Sequence, residues 1–439
     1  MFNFNHSALS LRQILNIDNM LIEFTVGNFL SFNQKKTLSF EAKGISELKD
    51  NVAKCSNYKL LRSAVIYGAN SSGKSNLIRA LDRMRDVVLM SVKLNDSDEL
   101  DYSPFLLNTE SENMPTFFEI AFINEEQKFR YGFEYNARQI MNEWLFVGKS
   151  EKPLFIRTMN GIGVADKFEE GKGKEPATNN NRLFLSLVAQ LGGAASKKII
   201  EWFKNYNVLS GLDHKDYYGF TTQMFHNKLE GFEKSLSLFQ TLKLGFKDVK
   251  ADESEFNPLN IPKDMPMNLK LKLIKEFAGK TQVTLKTIHN KYDRNGNPVD
   301  SVSFEKDRNE SEGTNKIIDL SGPIFDTLSL GKLLIIDELE AKLHPLITTH
   351  IVNLFNHPET NQKGAQLLFA THDTNLLNNN LFRRDQIWFT EKDDFEQTDL
   401  YSLYNFNLPD GTKVRNDSNI EKNYIRGRYG AIPFITNIK

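Results

Sequence analysis

The stretch "YGANSSGKSN", residues 67–76, follows the apolar run Ala64, Val65, Ile66 and leads into a helix-like segment. It matches the pattern of a glycine, four residues and then Gly-Lys-Ser/Thr that grips phosphates. Gly68 and Gly73 let the backbone curl, so that the N–H groups across Ala69, Asn70, Ser71 and Ser72 can turn toward phosphate oxygens. The helix begun by Ser75 and Asn76 adds the partial positive charge of its N-terminus. Lys74 can reach the β- and γ-phosphates, and Ser75 supplies a hydroxyl for a magnesium ion. A plain Gly/Ser turn between a strand and a helix uses the same residue types, but this spacing arises by chance in only about one chain in a hundred of this length. The chemistry implied is the binding of a nucleoside triphosphate with Mg2+.

Such a loop needs acidic partners, and the second half of the chain supplies them. "GKLLIIDELEAKLHP" holds the apolar run Leu333 to Ile336 and ends it in Asp337-Glu338. A buried strand ending in two carboxylates suits a magnesium ligand, Asp337, followed by a group that orients or deprotonates an attacking water, Glu338. Alone, an apolar strand ending in Asp-Glu is commonplace; its position after a phosphate loop gives it weight. "AQLLFATHDTNLL" is another apolar strand with His372 just past its end. Strand carboxyl ends line the ligand crevice of an open parallel sheet, so His372 is placed to sense the γ-phosphate. A histidine in a loop after a strand is ordinarily no more than that; here the order of the three segments favours function.

The elements that must hold these residues apart and in line are legible in outline. "MLIEFTVGNFLSF" and "KKTLSFEA" alternate apolar and polar residues around a turn-like break at Asn33-Gln34, the pattern of a hairpin. "SNLIRALDRMRDVVLMSV" has helical spacing, and "TFFEIAFI", "KFRYGFEYN" and "EWLFVG" read as an antiparallel meander. "DKFEEGKGKEPATNNNR" reads as an exposed loop or linker. Residues 183–280 read mostly as helix, without sustained heptads, and "QVTLKTIHNKYDRNGNPVDSVSFEKD" is a hairpin turning at Asn295-Gly296. The organisation expected is an N-terminal extension over 1–19, with Met20 a second plausible start. An N-terminal lobe over 20–160, a mostly helical insertion over 161–282 and a C-terminal lobe over 283–439 follow.

Composition narrows the function classes. The 439 residues carry 55 Lys+Arg against 56 Asp+Glu, a net charge of −1, so the whole chain projects no basic field. Nucleic-acid binding is thus not announced by charge, though a local patch is compatible with it. The C-terminal cluster Arg415, Lys422, Arg426 and Arg428 is the best such patch; it equally suits a solvated surface, or packing through Tyr424 and Tyr429. The single Cys55 excludes an internal disulfide framework and fits a reducing cytoplasm. No apolar run approaches a membrane span, and the opening residues lack the pattern of a signal peptide.

Taken together, "VGNFLSF", "YGANSSGKSN", "LLIIDELEAKLHP", "ATHD" and "EKNYIRGRYGAIPFI" resemble the ABC-type ATPase heads of the SMC and recombination-repair class. The resemblance is closer to small bacterial ATPases related to the overcoming-lysogenisation-defect (OLD) proteins, many of which serve in anti-phage defence, as does the ATPase subunit of the PARIS system. It runs from about Met20 to the end, is weakest in the middle, and is most group-specific in "GRYGAIP". It implies an α/β fold of the P-loop NTPase, ABC-ATPase head type, with a mixed sheet, an antiparallel β lobe and a mostly helical insertion. It also implies ATP and Mg2+ as ligands, hydrolysis of ATP, and a head-to-tail dimer or higher oligomer in the cytoplasm. A signature loop from a second copy should then close over the nucleotide, and "NESEGTNKI" offers Ser311 and Gly313 at a helix start for that role. The chain departs from the pattern twice: the usual "LSGGQ" is missing, and no loop between the loop helix and the later strands is a convincing match for the glutamine-bearing one.

Three function classes compete. One is an ATPase whose nucleotide state controls a separately encoded effector, commonly a nuclease. A second is a DNA-end or repair ATPase of the SMC class, and a third is the ATPase subunit of a transporter. The altered signature and long insertion weigh against the transporter, and the lack of a long coiled coil or strong basic surface weighs against the repair enzyme. The stretch after His372 is also shorter than the nuclease domain that full-length OLD proteins append, so the first class is expected.

Overall fold

The computed structural model describes residues 19–433 and Ile17, apart from 214, 257 and 262–264. The expected N-terminal extension therefore lies almost wholly outside the described residues, as do the last residues of the tail motif. Two sheets organise the rest. The first has seven antiparallel strands, in the spatial order Gly161–Val164, Lys152–Thr158, Ile140–Val147, Gln127–Tyr135, Thr116–Asn124, Met20–Gly27, Lys36–Ser39. The expected hairpin is present, with Thr25 opposite Thr37, and so is the meander, with Ile120 opposite Tyr131.

The second sheet has six strands in the order Tyr206–Ser210, Leu333–Asp337, Gln366–Ala370, Ser63–Tyr67, Ile387–Lys392, Thr398–Ser402. The first five run parallel and the last is antiparallel. Ser63–Tyr67 and Gln366–Ala370 are buried at every residue. That is why they read as unbroken apolar runs: helices and the other sheet cover both faces. The helix Lys74–Met90 buries Leu77, Ile78, Leu81, Met84, Val87 and Val88 on the stripe that its spacing predicts. These join Phe118, Ile120 and Phe122 of the antiparallel sheet and Ile66 and Ile335 of the parallel one in a single core.

Three readings of the middle of the chain need correction. The strand pair Lys152–Thr158 and Gly161–Val164 straddles the expected boundary at 160, because Met159-Asn160 is the turn of a hairpin. The boundary at 282 falls inside the strand Thr281–Tyr292. The mostly helical insertion also contains Tyr206–Ser210, which pairs in parallel with Leu333–Asp337 as an edge of the central sheet, and Asp248–Glu255, part of a three-stranded sheet. Propensity alone hides a five-residue edge strand between helices; pairing with a distant strand makes it one. The hairpin Thr281–Tyr292 and Pro298–Glu305 is as expected, with Gly296 at φ +81° in its turn.

Candidate functional site: a phosphate loop facing Glu338 and His372

The helix Lys74–Met90 starts at Gly73, whose φ is +112° and which offers no side-chain cap. Its first amides are therefore left for a ligand. The loop is held from below by side chains far away in sequence. Thr390 Oγ1 and Ser72 Oγ lie 2.6 Å apart. Thr398 Oγ1 donates to the Ser72 carbonyl at 3.0 Å. Ser31, from the "VGNFLSF" segment, accepts from Asn76 Nδ2 at 2.8 Å, and its Oγ lies 2.7 Å from Thr398 Oγ1. A Cβ on Gly68 would overlap Thr390, and one on Gly73 would overlap Thr398, so the glycines serve close packing as well as curl.

Lys74 is only 5% exposed. Its Nζ donates to the carbonyls of Gly68 at 2.8 Å and Ala69 at 3.0 Å. Burial lowers its pKa to about 8, an effect that the carboxylates of Asp337, Glu338 and Glu340 partly oppose. Beside it lies a pocket of about 260 Å³ lined by Asn70, Ser71, Ser72, Gly73, Lys74, Ser75 and Asn76, with Glu338 and His372 on the facing wall. Segments separated by some three hundred positions in the chain thus share one small polar cavity. Gly68, Ala69, Asp337, Ser311 and Gly313 are not part of the lining; Gly68 and Ala69 serve it by accepting the Lys74 hydrogen bonds.

Asp337 ends its strand two places from the phosphate-loop strand, with Gln366–Ala370 between. Its Oδ1 is buried without a hydrogen-bond partner, a costly state for a carboxylate oxygen that a cation would relieve. The donor set of Asp337 and Ser75, oxygen-only, fits Mg2+. Glu338 adopts a left-handed backbone, φ +55°, uncommon for a residue with a side chain and typical of strain kept for function. Gly211, directly after the edge strand, makes it fit: its N–H donates to the Asp337 carbonyl at 2.7 Å, and any Cβ there would overlap the Glu338 carbonyl oxygen.

The loop beyond Glu338 ties the site together. Glu340 Oε1 accepts from the His372 backbone N–H at 2.6 Å. Burial, then the charge of Lys74, lowers the His372 pKa, so its imidazole is neutral at pH 7. Lys316, on the helix Glu312–Leu330, donates to the carbonyls of Leu339 at 2.9 Å and Ala341 at 2.6 Å, and its pKa is lowered to about 8 by burial. That helix begins at Ser311, whose hydroxyl accepts from Thr314 N–H at 3.1 Å. Sequence reasoning missed Ser31, Gly211, Lys316, Glu340, Thr390 and Thr398; each acts through a contact with a remote segment. At the C-terminus, Arg415, Lys422, Arg426 and Arg428 are exposed, while Tyr424 and Tyr429 are buried against Phe389. The packing alternative therefore holds for the tyrosines, and the cations are solvated.

No helix among the described residues is long and apolar enough to cross a membrane. No curated protein matches the chain. Among solved structures, it is similar to an SMC head bound to the C-winged helix domain of ScpA, with TM-score 0.44 and 12% identity, covering 87% of this chain and 97% of that one. It is similar also to the SMC head domain from Thermotoga maritima, with TM-score 0.41, 12% identity, and 87% and 98% coverage. A third likeness is to the recombination mediator RecF with ATP, in the RecFOR pathway, with TM-score 0.37, 13% identity, and 89% and 99% coverage. Residues 63–378, from the phosphate-loop strand past His372, match the model of a family described as "AAA domain, putative AbiEii toxin, Type IV TA system"; with most of its length matched, the chain belongs to this family of AAA ATPase domains.

Proposed function

We propose that the protein hydrolyses ATP with magnesium at a site completed by a second copy, and that its nucleotide state governs a separately encoded effector in anti-phage defence. The observation that carries the ATPase reading is the convergence of Asn70–Asn76, Glu338 and His372 on one cavity. In this reading the loop amides and Lys74 hold the triphosphate, with Lys74 turning from the Gly68 and Ala69 carbonyls to the β- and γ-phosphates. Ser75 and Asp337 would hold magnesium, which when bound neutralises charge on the β- and γ-phosphates. Glu338 takes the proton of the attacking water, and neutral His372 donates a hydrogen bond to the γ-phosphate. Ser311 and Gly313 of a second copy would cover the open face and exclude water. Control of an effector rests on the sequence resemblance and on the family's description, which names a toxin–antitoxin system. Both point to a two-component arrangement.

The test is Glu338→Gln. This variant is expected to bind ATP and magnesium as the parent does while turnover falls by about 10²–10⁴; parental turnover would remove Glu338 from the role of base. Co-expression with the neighbouring reading frame addresses control. Its product should co-purify with the chain in a nucleotide-dependent way, and a permease in that position would overturn the effector reading.

A further inference from the structure

Away from the ATP cavity, a groove of about 580 Å³ is lined by Ala42, Lys43, Gly44, Ile45, Ser46, Lys49, Val52, Lys54, Lys59 and Arg383. It contains five cations and no carboxylate. Two of the lysines face each other: in the hairpin Val52–Cys55 and Tyr58–Leu61, Lys54 pairs directly opposite Lys59. Cβ atoms so placed are about 5 Å apart, and like charges in that position are destabilising. Lys49, Lys54 and Lys59 are exposed, and no described acidic side chain pairs with them. The other two cations of the groove are paired, Lys43 with Glu41 at 3.7 Å and Arg383 with Asp385 at 2.7 Å, and Glu47 is held by Arg384 at 2.8 Å. In a chain of net charge −1, the three lysines left, Lys49, Lys54 and Lys59, are a local concentration of positive potential.

We propose that this groove binds the sugar–phosphate backbone of duplex nucleic acid, as an anion site separate from the phosphate loop. The chemistry of the lining selects that occupant. An acidic protein surface is best met by free arginine forks and aromatic anchors. The one arginine here is spent, Nε and Nη2 on Asp385 and Nη1 on the Glu47 carbonyl at 2.7 Å, and no lining residue is aromatic. Single strands are held by stacking on aromatic side chains, which the same lining excludes. What remains is a set of flexible point charges over a small apolar floor of Ala42, Ile45 and Val52, suited to phosphates carried at intervals on a stiff backbone. The groove also has a route to the ATP site. Lys43 N–H donates to Asp385 at 2.8 Å, Asn51 Nδ2 to Gln386 at 2.7 Å, and Gln386 Nε2 to the carbonyl of Ser63, the first residue of the phosphate-loop strand, at 3.0 Å. The groove thus sits at the opposite end of that strand from the loop.

The test is fluorescence anisotropy of a labelled DNA duplex of about 20 base pairs, titrated with the full chain between roughly 50 and 200 mM salt without ATP. Binding is expected, with a log–log salt slope of about −3, as three or four neutralised phosphates give. Lys54→Glu with Lys59→Glu should weaken it at least tenfold and flatten the slope by about two. DNA-free ATP turnover should be unchanged and Tm no lower than the parent's. Lys149→Glu with Lys291→Glu, at exposed lysines outside the groove, serves as the control and should shift affinity less than about twofold. No binding at the lowest salt, or parental binding by the Lys54/Lys59 variant, would overturn the proposal. So would a polyglutamate chain that displaces the duplex and shows the same lysine dependence, which would make an acidic protein the occupant.

Discussion

Two helix starts in this molecule use the same residue types to opposite effect. At Gly73 the helix has no side-chain cap, a left-handed glycine and threonines packed behind it, so its amides face an open pocket. At Ser311 the hydroxyl already caps its own helix through Thr314, Glu312 pairs with Lys342 at 3.0 Å, and Ser311 and Glu312 face solvent. One start is vacated for a ligand; the other is satisfied within its own chain. In the proposed shared site, a serine engaged in this way would have to exchange its cap for a partner's nucleotide, which would couple closure to loosening of the helix start. Behind both lies the same rigid support, since Lys316 links the second helix to the Glu338–Lys342 turn that faces the first.

The comparison can be broken at its stronger end first. Lys74→Ala is expected to drop ATP turnover about a thousandfold, because the loop loses its only mobile cation; a phosphate-release assay decides it. Gly211→Ala touches neither helix start nor substrate, yet forces the Asp337–Glu338 backbone apart. It should lower kcat about a hundredfold with KM little changed, as expected for a displaced carboxylate. Unchanged kcat in a folded variant would dismiss Gly211 as a positioning residue. Mixing inactive Ser311→Arg with inactive Lys74→Ala in equal amounts should restore about a quarter of parental activity, since half the dimers carry one intact site of two. A mixture that dimerises and stays inactive would refute independent shared sites.

A further effect is on pH. With the Lys74 pKa lowered to about 8 by burial, ATP affinity should fall by up to tenfold per pH unit above that value, and calorimetry in two buffers should register proton uptake on binding. Lys74→Arg stays charged and should lack this slope. The sign for stability is the reverse. The folded chain holds a buried cation below pH 8 at a cost, and from there toward the ordinary lysine value the unfolded chain binds more protons. Fold stability contributed by Lys74 and Lys316 therefore rises with pH across that window.

What the sequence disclosed and what it concealed follow from range. The phosphate loop, the Asp337-Glu338 strand end and His372 each announce themselves within about ten residues, since loop curl, buried strand and strand end are local properties. Gly211 does not: a glycine after "YNVLS" is unremarkable until the edge strand sets it against Glu338. Thr390, Thr398 and Ser31 are ordinary strand and turn residues until three distant segments meet under Ser72 and Asn76. The Lys54–Lys59 conflict likewise exists only in the register of a hairpin. The antiparallel lobe was readable in its alternation, whereas the mixed middle region was not, because short strands among helices leave no periodic trace.

The order of the central sheet has a consequence for how the protein comes into being. Ser63–Tyr67 is made early, yet both its neighbours, Gln366–Ala370 and Ile387–Lys392, are encoded about 300 residues later. The antiparallel sheet, by contrast, draws all its strands from the first 164 residues. On the ribosome the strands of the antiparallel sheet can emerge while the phosphate-loop strand still lacks its flanks, so its unpaired backbone edges stay open until nearly the whole chain has emerged. The phosphate-loop strand therefore gains its flanking strands last in synthesis.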